Sequence, residues 1–128
     1  MKIHNPDSIT VPLGAYSHGI EVGPKARWLH ISGQVGVLPD GSAAEGAEAQ
    51  LECAWENIRA ILASAGMAIE DIVKVTTYIV GAEDFAVHPR VRARHLGAHR
   101  ATATAVQVSG LARPDLLIEI DVVAARED

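Results

Sequence analysis

The sequence is short of cysteine, of long apolar runs and of positive charge, and each shortage removes a class of protein. One cysteine, Cys53, leaves no partner for an internal disulfide and no all-cysteine metal site, and it fits a reducing compartment. No apolar stretch approaches the ~18–20 residues that span a bilayer, so no membrane partner is expected. Met1–Asp7 carries no apolar core of a secretory signal, and the expected location is cytoplasmic. Lys and Arg number 11 against 16 Asp and Glu, a formal net charge of -5. That balance argues against nucleic acid, whose phosphates need a basic face. Phosphate-cradling loops are missing as well: Gly33-Gln34-Val35-Gly36 has too few glycines and no following lysine. Ser32 has no base beside it in sequence, which leaves a serine nucleophile unsupported.

What is present reads as one globular domain over residues 1–128. Hydrophobic residues are 48% and charged residues 21%, a composition that builds a core rather than a disordered chain. Pro and Gly break the first part of the chain, leaving extended candidates at Ser17–Val22 and Trp28–Ser32 at hairpin-like separation. Pro39-Asp40-Gly41-Ser42 has turn chemistry. From Glu45 to Ala65 the apolar positions Leu51, Ala54, Trp55, Ile58, Ile61, Leu62 and Ala65 share one helical stripe, with Gly66 as the stop. Ile72–Val80 is β-branched and reads as a strand. A second helical stretch covers about Glu83 to Ala98, with Pro89 an obstacle in its first half. Strands at Ala103–Val108 and Leu116–Ala124 complete an α+β layer, two helices on one face of a sheet. In the last strand, Ile118, Ile120, Val122 and Ala124 suit burial under helices, whereas Leu117, Glu119, Asp121 and Val123 form a half-apolar outer face. Such a face fits burial against another subunit as well as ordinary exposure.

Three groups of polar residues are candidates for chemistry. His95 and His99 have the i, i+4 spacing of a metal pair, with His88 on the same helical face, but Leu96 stands where a zincin has glutamate, and no metal is expected. Arg90, Arg92 and Arg94 can hold a carboxylate or phosphate, or form a solvated helix surface. Glu119 and Asp121, two apart on a strand, lie on one side about 6–7 Å from each other; carboxylates that close raise each other's pKa, one way to a general acid or base.

Several segments in order resemble the Rid family (reactive intermediate deaminase, also called YjgF, and carrying an older endoribonuclease label). They are Leu13-Gly14-Ala15-Tyr16-Ser17-His18-Gly19, Leu29-His30-Ile31-Ser32-Gly33-Gln34-Val35, Asn57-Ile58-Arg59-Ala60-Ile61-Leu62, Asp71-Ile72-Val73-Lys74-Val75-Thr76, and Leu111-Ala112-Arg113-Pro114-Asp115-Leu116-Leu117-Ile118-Glu119-Ile120. The resemblance implies a chorismate-mutase-like α+β fold and a homotrimer whose sheets form a central barrel, with small-molecule clefts between subunits. It implies an enamine/imine deaminase activity needing no cofactor, in which water adds to the imine and ammonia and a 2-keto acid leave.

Carried over by residue, Tyr16 matches the family's cleft tyrosine and Gly33 the glycine whose backbone approaches the ligand. Glu119 matches the glutamate that positions or activates water, and Ser32 and Thr104 fall at substrate-binding positions. One position departs. Where active members carry a carboxylate-gripping arginine in a Pro-Ala-Arg-Ser/Thr context, this chain has Ala101-Thr102-Ala103-Thr104, with Ala103 in the arginine's place. Losing one partner of a partly buried charge pair removes about 3–5 kcal/mol, so the cleft is expected to be neutral to acidic. Arg100, three residues away, would face the wrong side of a continuous strand, while Arg113, in the turn before the last strand, is the candidate replacement. Two functions follow: a ligand-binding protein without ordinary imino-acid deamination, or a deaminase whose arginine has been replaced. An RNA-cleaving reading is opposed by the acidic charge.

Overall fold

The computed structural model describes residues 1–128. Its elements in chain order are β1 (Lys2–His4), β2 (Gly19–Glu21), β3 (Arg27–Val35), α1 (Gly46–Ser64), a 3₁₀ turn (Ile69–Asp71), β4 (Ile72–Ile79), a second 3₁₀ turn (Ala82–Ala86), α2 (His88–Leu96), β5 (Thr102–Gln107) and β6 (Ile118–Arg126). Four strands make one mixed sheet in the order β3-β6-β4-β5, and β1 pairs with β2 apart from it. This is the expected α+β architecture, with both helices on one face.

The core follows from two periodicities meeting. On α1 the stripe residues Leu51, Ala54, Trp55, Ile58 and Leu62 are all at most 1% exposed, and they meet Ile118, Ile120, Val122 and Ala124 of β6, also at most 1% exposed. Burial of those side chains drives the layer together, at about 1.5–3 kcal/mol for each full-sized aliphatic group. Gly66, at φ +68, ends the helix in a conformation that a Cβ would strain.

Three expectations need correction. The extended segments near residues 20 and 30 form no hairpin with each other: β2 pairs with β1, and β3 pairs with β6. Gly23-Pro24 separates them, but β3 carries Leu29 and Ile31 toward the core, where β6 offers the complementary apolar face. The second helical stretch is not continuous. It divides into the 3₁₀ turn and α2, and Pro89 sits in the first turn of α2, where its missing N–H has no helical partner to lose. The last strand starts later and runs further than expected, Ile118–Arg126.

The link from β4 to β5 decides where the helices lie. These strands are parallel neighbours, and parallel neighbours need a crossover, here the second 3₁₀ turn and α2. Val91 and Leu96 of α2 join the shared core, and α2 packs beside α1, which itself lies on β3 and β6.

Candidate functional site

On β3 the chain inserts one extra residue opposite β6. Ile31 pairs with Val122 and Gln34 with Ile120, so Ser32 and Gly33 together face the single residue Asp121. A bulge of this kind bends the strand and re-aims its groups. Gly33 is exposed there, and a Cβ on it would collide with the Glu119 carboxylate. Only glycine lets that side chain lie flat on the strand. Gly33 and Glu119 are therefore brought together, with Ser32 the other residue of the bulge. Asp121 shares the face but has another partner: it accepts a hydrogen bond from Tyr78 Oη at 2.8 Å. That bond is the main reason the tyrosine pKa is raised, with burial second. The acid pair expected from spacing is divided, Asp121 held by Tyr78 and Glu119 resting on the bulge.

The remaining candidates lie at the opposite edge. The Ser17 N–H donates to the Ala101 carbonyl at 3.1 Å and its hydroxyl to the Arg100 carbonyl, which pins Tyr16 beside the start of β5. Tyr16 Oη accepts the Leu13 N–H at 3.2 Å, and the ring meets His18 edge-on at 5.8 Å. Register puts Ala103 opposite Val75, which is buried on the helix face, and Glu119 opposite Tyr78, three residues along β4. Residues three apart on a strand point to opposite faces. Within one chain, then, Ala103 and Glu119 lie on opposite faces of the sheet. Thr104 is exposed on the outer face and accepts a hydrogen bond from Lys74 Nζ at 2.8 Å.

Arg113 does not serve as a free replacement cation. Its Nε and Nη2 donate to the two Asp115 carboxylate oxygens at 3.0 and 2.7 Å, and Nη1 donates to the Gly41 carbonyl at 3.0 Å. All three nitrogens are committed to bracing the turn before β6 against the Gly41 turn.

The histidines separate too. His99 Nε2 bonds the Ile72 carbonyl at 2.7 Å, while His95 turns to α1 and stacks on Trp55 with ring centroids 5.7 Å apart. Arg59 Nε donates to His95 Nδ1 at 3.1 Å, so the other ring nitrogen, Nε2, carries the proton and donates to Glu52 at 2.8 Å. His95 and His99 form no metal pair. Cys53 is half-buried, its thiol directed at the Val37 carbonyl and its pKa pushed up by burial, the condition of a small core group rather than a nucleophile.

The three arginines of α2 divide between two directions. Arg90 donates to Glu48, and Arg94 to Glu48 and Glu52 of α1. Arg92, between them, is half-buried and has no hydrogen bond or ion pair within the chain. Residues two apart on a helix lie about 200° around from one another, which is the available signal; a run of alternate arginines cannot all belong to one surface.

The family described as Endoribonuclease L-PSP matches residues 7–126. A RutC family protein of Pyrococcus horikoshii is 38% identical over 118 residues, covering 91% of this chain and 90% of that protein. The 2-iminobutanoate/2-iminopropanoate deaminase of Salmonella typhimurium is 35% identical over 118 residues, covering 89% of each. Among solved structures, the Rid family protein YyfB of Yersinia pestis superimposes with a TM-score of 0.86 at 30% identity, covering 98% of both chains. Escherichia coli TdcF, solved with bound serine, gives 0.72 at 30% identity, covering 99% of this chain and 100% of that one. With a bulged glycine under Glu119, the expected α+β layer and a match over nearly its whole length, the chain belongs to the endoribonuclease L-PSP family, also known as Rid or YjgF.

Proposed function

We propose that the protein is a homotrimer that binds a small molecule in clefts between subunits and turns over ordinary imino acids poorly, because Ala103 replaces the carboxylate-gripping arginine. The observation that carries this reading is the division of the candidate residues. Ser32, Gly33 and Glu119 sit on the β3–β6 side, Ala103 faces the other way on β5, and Tyr16 is held beside the start of β5. Glu119 on β6 and Ala103 on β5 are two strand spacings apart, about 10 Å, and on opposite faces, so one small ligand cannot touch both within a chain. A head-to-tail contact closed by threefold symmetry brings one edge of each copy to the other edge of the next. Exposed apolar groups support such a contact: Leu13 is 85% exposed, Trp28 51% and Val106 38%.

In the family reaction, water adds to the imine carbon, a proton reaches nitrogen, and the carbinolamine collapses to a 2-keto acid and ammonia. Glu119 is the group available to orient that water. What the β5 strand lacks is a planar two-bonded grip on the substrate carboxylate, and positioning of this kind contributes several kcal/mol to such reactions. The deaminase name of the Salmonella relative keeps a second reading in view, turnover with a substitute cation.

The test is keto-acid release from freshly generated 2-iminobutyrate. This reading expects little turnover by the natural chain and a clear gain in Ala103→Arg. Robust turnover by the natural chain would favour the second reading. No gain in the variant would remove Ala103 as the explanation of low turnover.

A further inference from the structure

We propose that Arg92 of α2, with Arg100 beside it, is the anion anchor of this cleft, which makes the ligand a small organic carboxylate. The inference rests on the cleft reading above and names the ligand class for it.

Its first support is position. His99 bonds the Ile72 carbonyl and so ties the end of the α2 segment to the start of β4. Arg92 lies four residues before the end of α2 at Leu96, and the chain runs from there through Arg100 into β5, where Ala103 pairs with Val75. The second support is direction. Arg90 and Arg94 reach α1, which lies over β3 and β6, and Arg92 points about 200° away from both. That direction is away from α1, and on the helix face of the sheet Ala103 of β5 carries only a methyl group.

Charge is the third support. Every other cation of α2 has an acidic partner on α1, but Arg92 has none. Its neighbours are the Arg100 cation and the imidazole of His88, and burial followed by the Arg100 charge lowers its pKa. Arg100 spends one nitrogen on the Gly97 and His99 carbonyls, and its own carbonyl holds Ser17, next to Tyr16. A half-buried guanidinium beside a second cation, with no internal carboxylate, is a costly arrangement. A bound carboxylate relieves it through paired N–H donors. The grip has moved from strand to helix, so the acid sits displaced from the position a β5 arginine would give it. Binding is retained while the imine carbon is poorly placed for Glu119.

Calorimetric titration with 2-oxobutanoate and with its neutral amide, 2-oxobutanamide, tests this on the full chain, with light scattering run on each sample. The expected result is binding of the acid, at least about tenfold weaker in Arg92→Met and partly restored in Arg92→Lys, with trimer mass unchanged in all three. The amide should bind equally to natural chain and Arg92→Met. Equal affinity of the acid for trimeric natural chain and Arg92→Met overturns the anchor and leaves the cleft standing. Binding of the amide without the acid does the same. A monomeric natural chain that binds neither compound overturns the cleft itself.

Discussion

The two edges of the sheet differ in what they ask of the backbone and in the charge they carry. At β3–β6 the bulge and a glycine let one carboxylate lie close against the strand. At β5–α2 small residues, Tyr16 and unpaired cations leave room. The acid edge is the one where the chain matches the family motif, and the basic edge is where it departs. On the proposed reading, a water held near Glu119 constrains the first closely. Ligand choice can be rewritten at the second without disturbing the core.

The largest effect should come from separating the edges altogether. Val123 lies half-buried on the outer face of β6, and Val123→Asp should convert a trimer to monomer by light scattering and abolish binding of 2-oxobutanoate. A trimer that persists with full binding would show that the outer face is not the interface. Next is the acid edge alone. Gly33→Ala sets a methyl group against the Glu119 carboxylate and should lower stability by about 1–3 kcal/mol in denaturant unfolding while displacing Glu119. A neutral result would mean that the close approach is slack.

The basic edge has its own signature in acid. Burial, with the Arg92 charge adding to it, pushes His88 from 6.5 down to about 4. The unfolded chain takes up a proton that the folded one refuses between these values, so this contribution is complete above pH 6.5 and is lost as pH falls toward 4. The loss should be about 3 kcal/mol in urea unfolding, and largely absent in His88→Phe. The same slope in both proteins would assign acid sensitivity to another group. Smallest is the effect of Arg113→Ala on ligand affinity, expected to be within about twofold because the guanidinium is occupied by Asp115 and Gly41.

The fold was legible because its core obeys two simple periods. The Leu51–Leu62 stripe and the alternation from Ile118 to Ala124 are written in the sequence and appear unchanged in the structure. Glu119 and Gly33 were legible as a motif, and the structure gives the reason for the glycine. The pairing of β2 and β3 was not legible, because a proline–glycine break between two strands resembles a hairpin whenever the third partner is a hundred residues away. Nor was the separation of Arg92 from Arg90 and Arg94, which shows only once the latter two are seen on Glu48 and Glu52. Arg113 misled for the converse reason: a turn arginine reads as mobile, but its partners Asp115 and Gly41 hold it on three sides.

The division of the cleft between copies can be tested by mixing two defective chains. Gly33→Ala damages the acid edge, and Ala103→Glu places a carboxylate where the ligand's own would sit, so each homotrimer alone should bind 2-oxobutanoate weakly. When the two are unfolded together and refolded as mixed trimers, random assembly pairs an intact acid edge with an intact basic edge in about a quarter of clefts. Titration should then recover about that fraction of natural sites at natural affinity. Recovery of none, from mixed trimers of correct mass, would place the whole site within one chain and contradict the account.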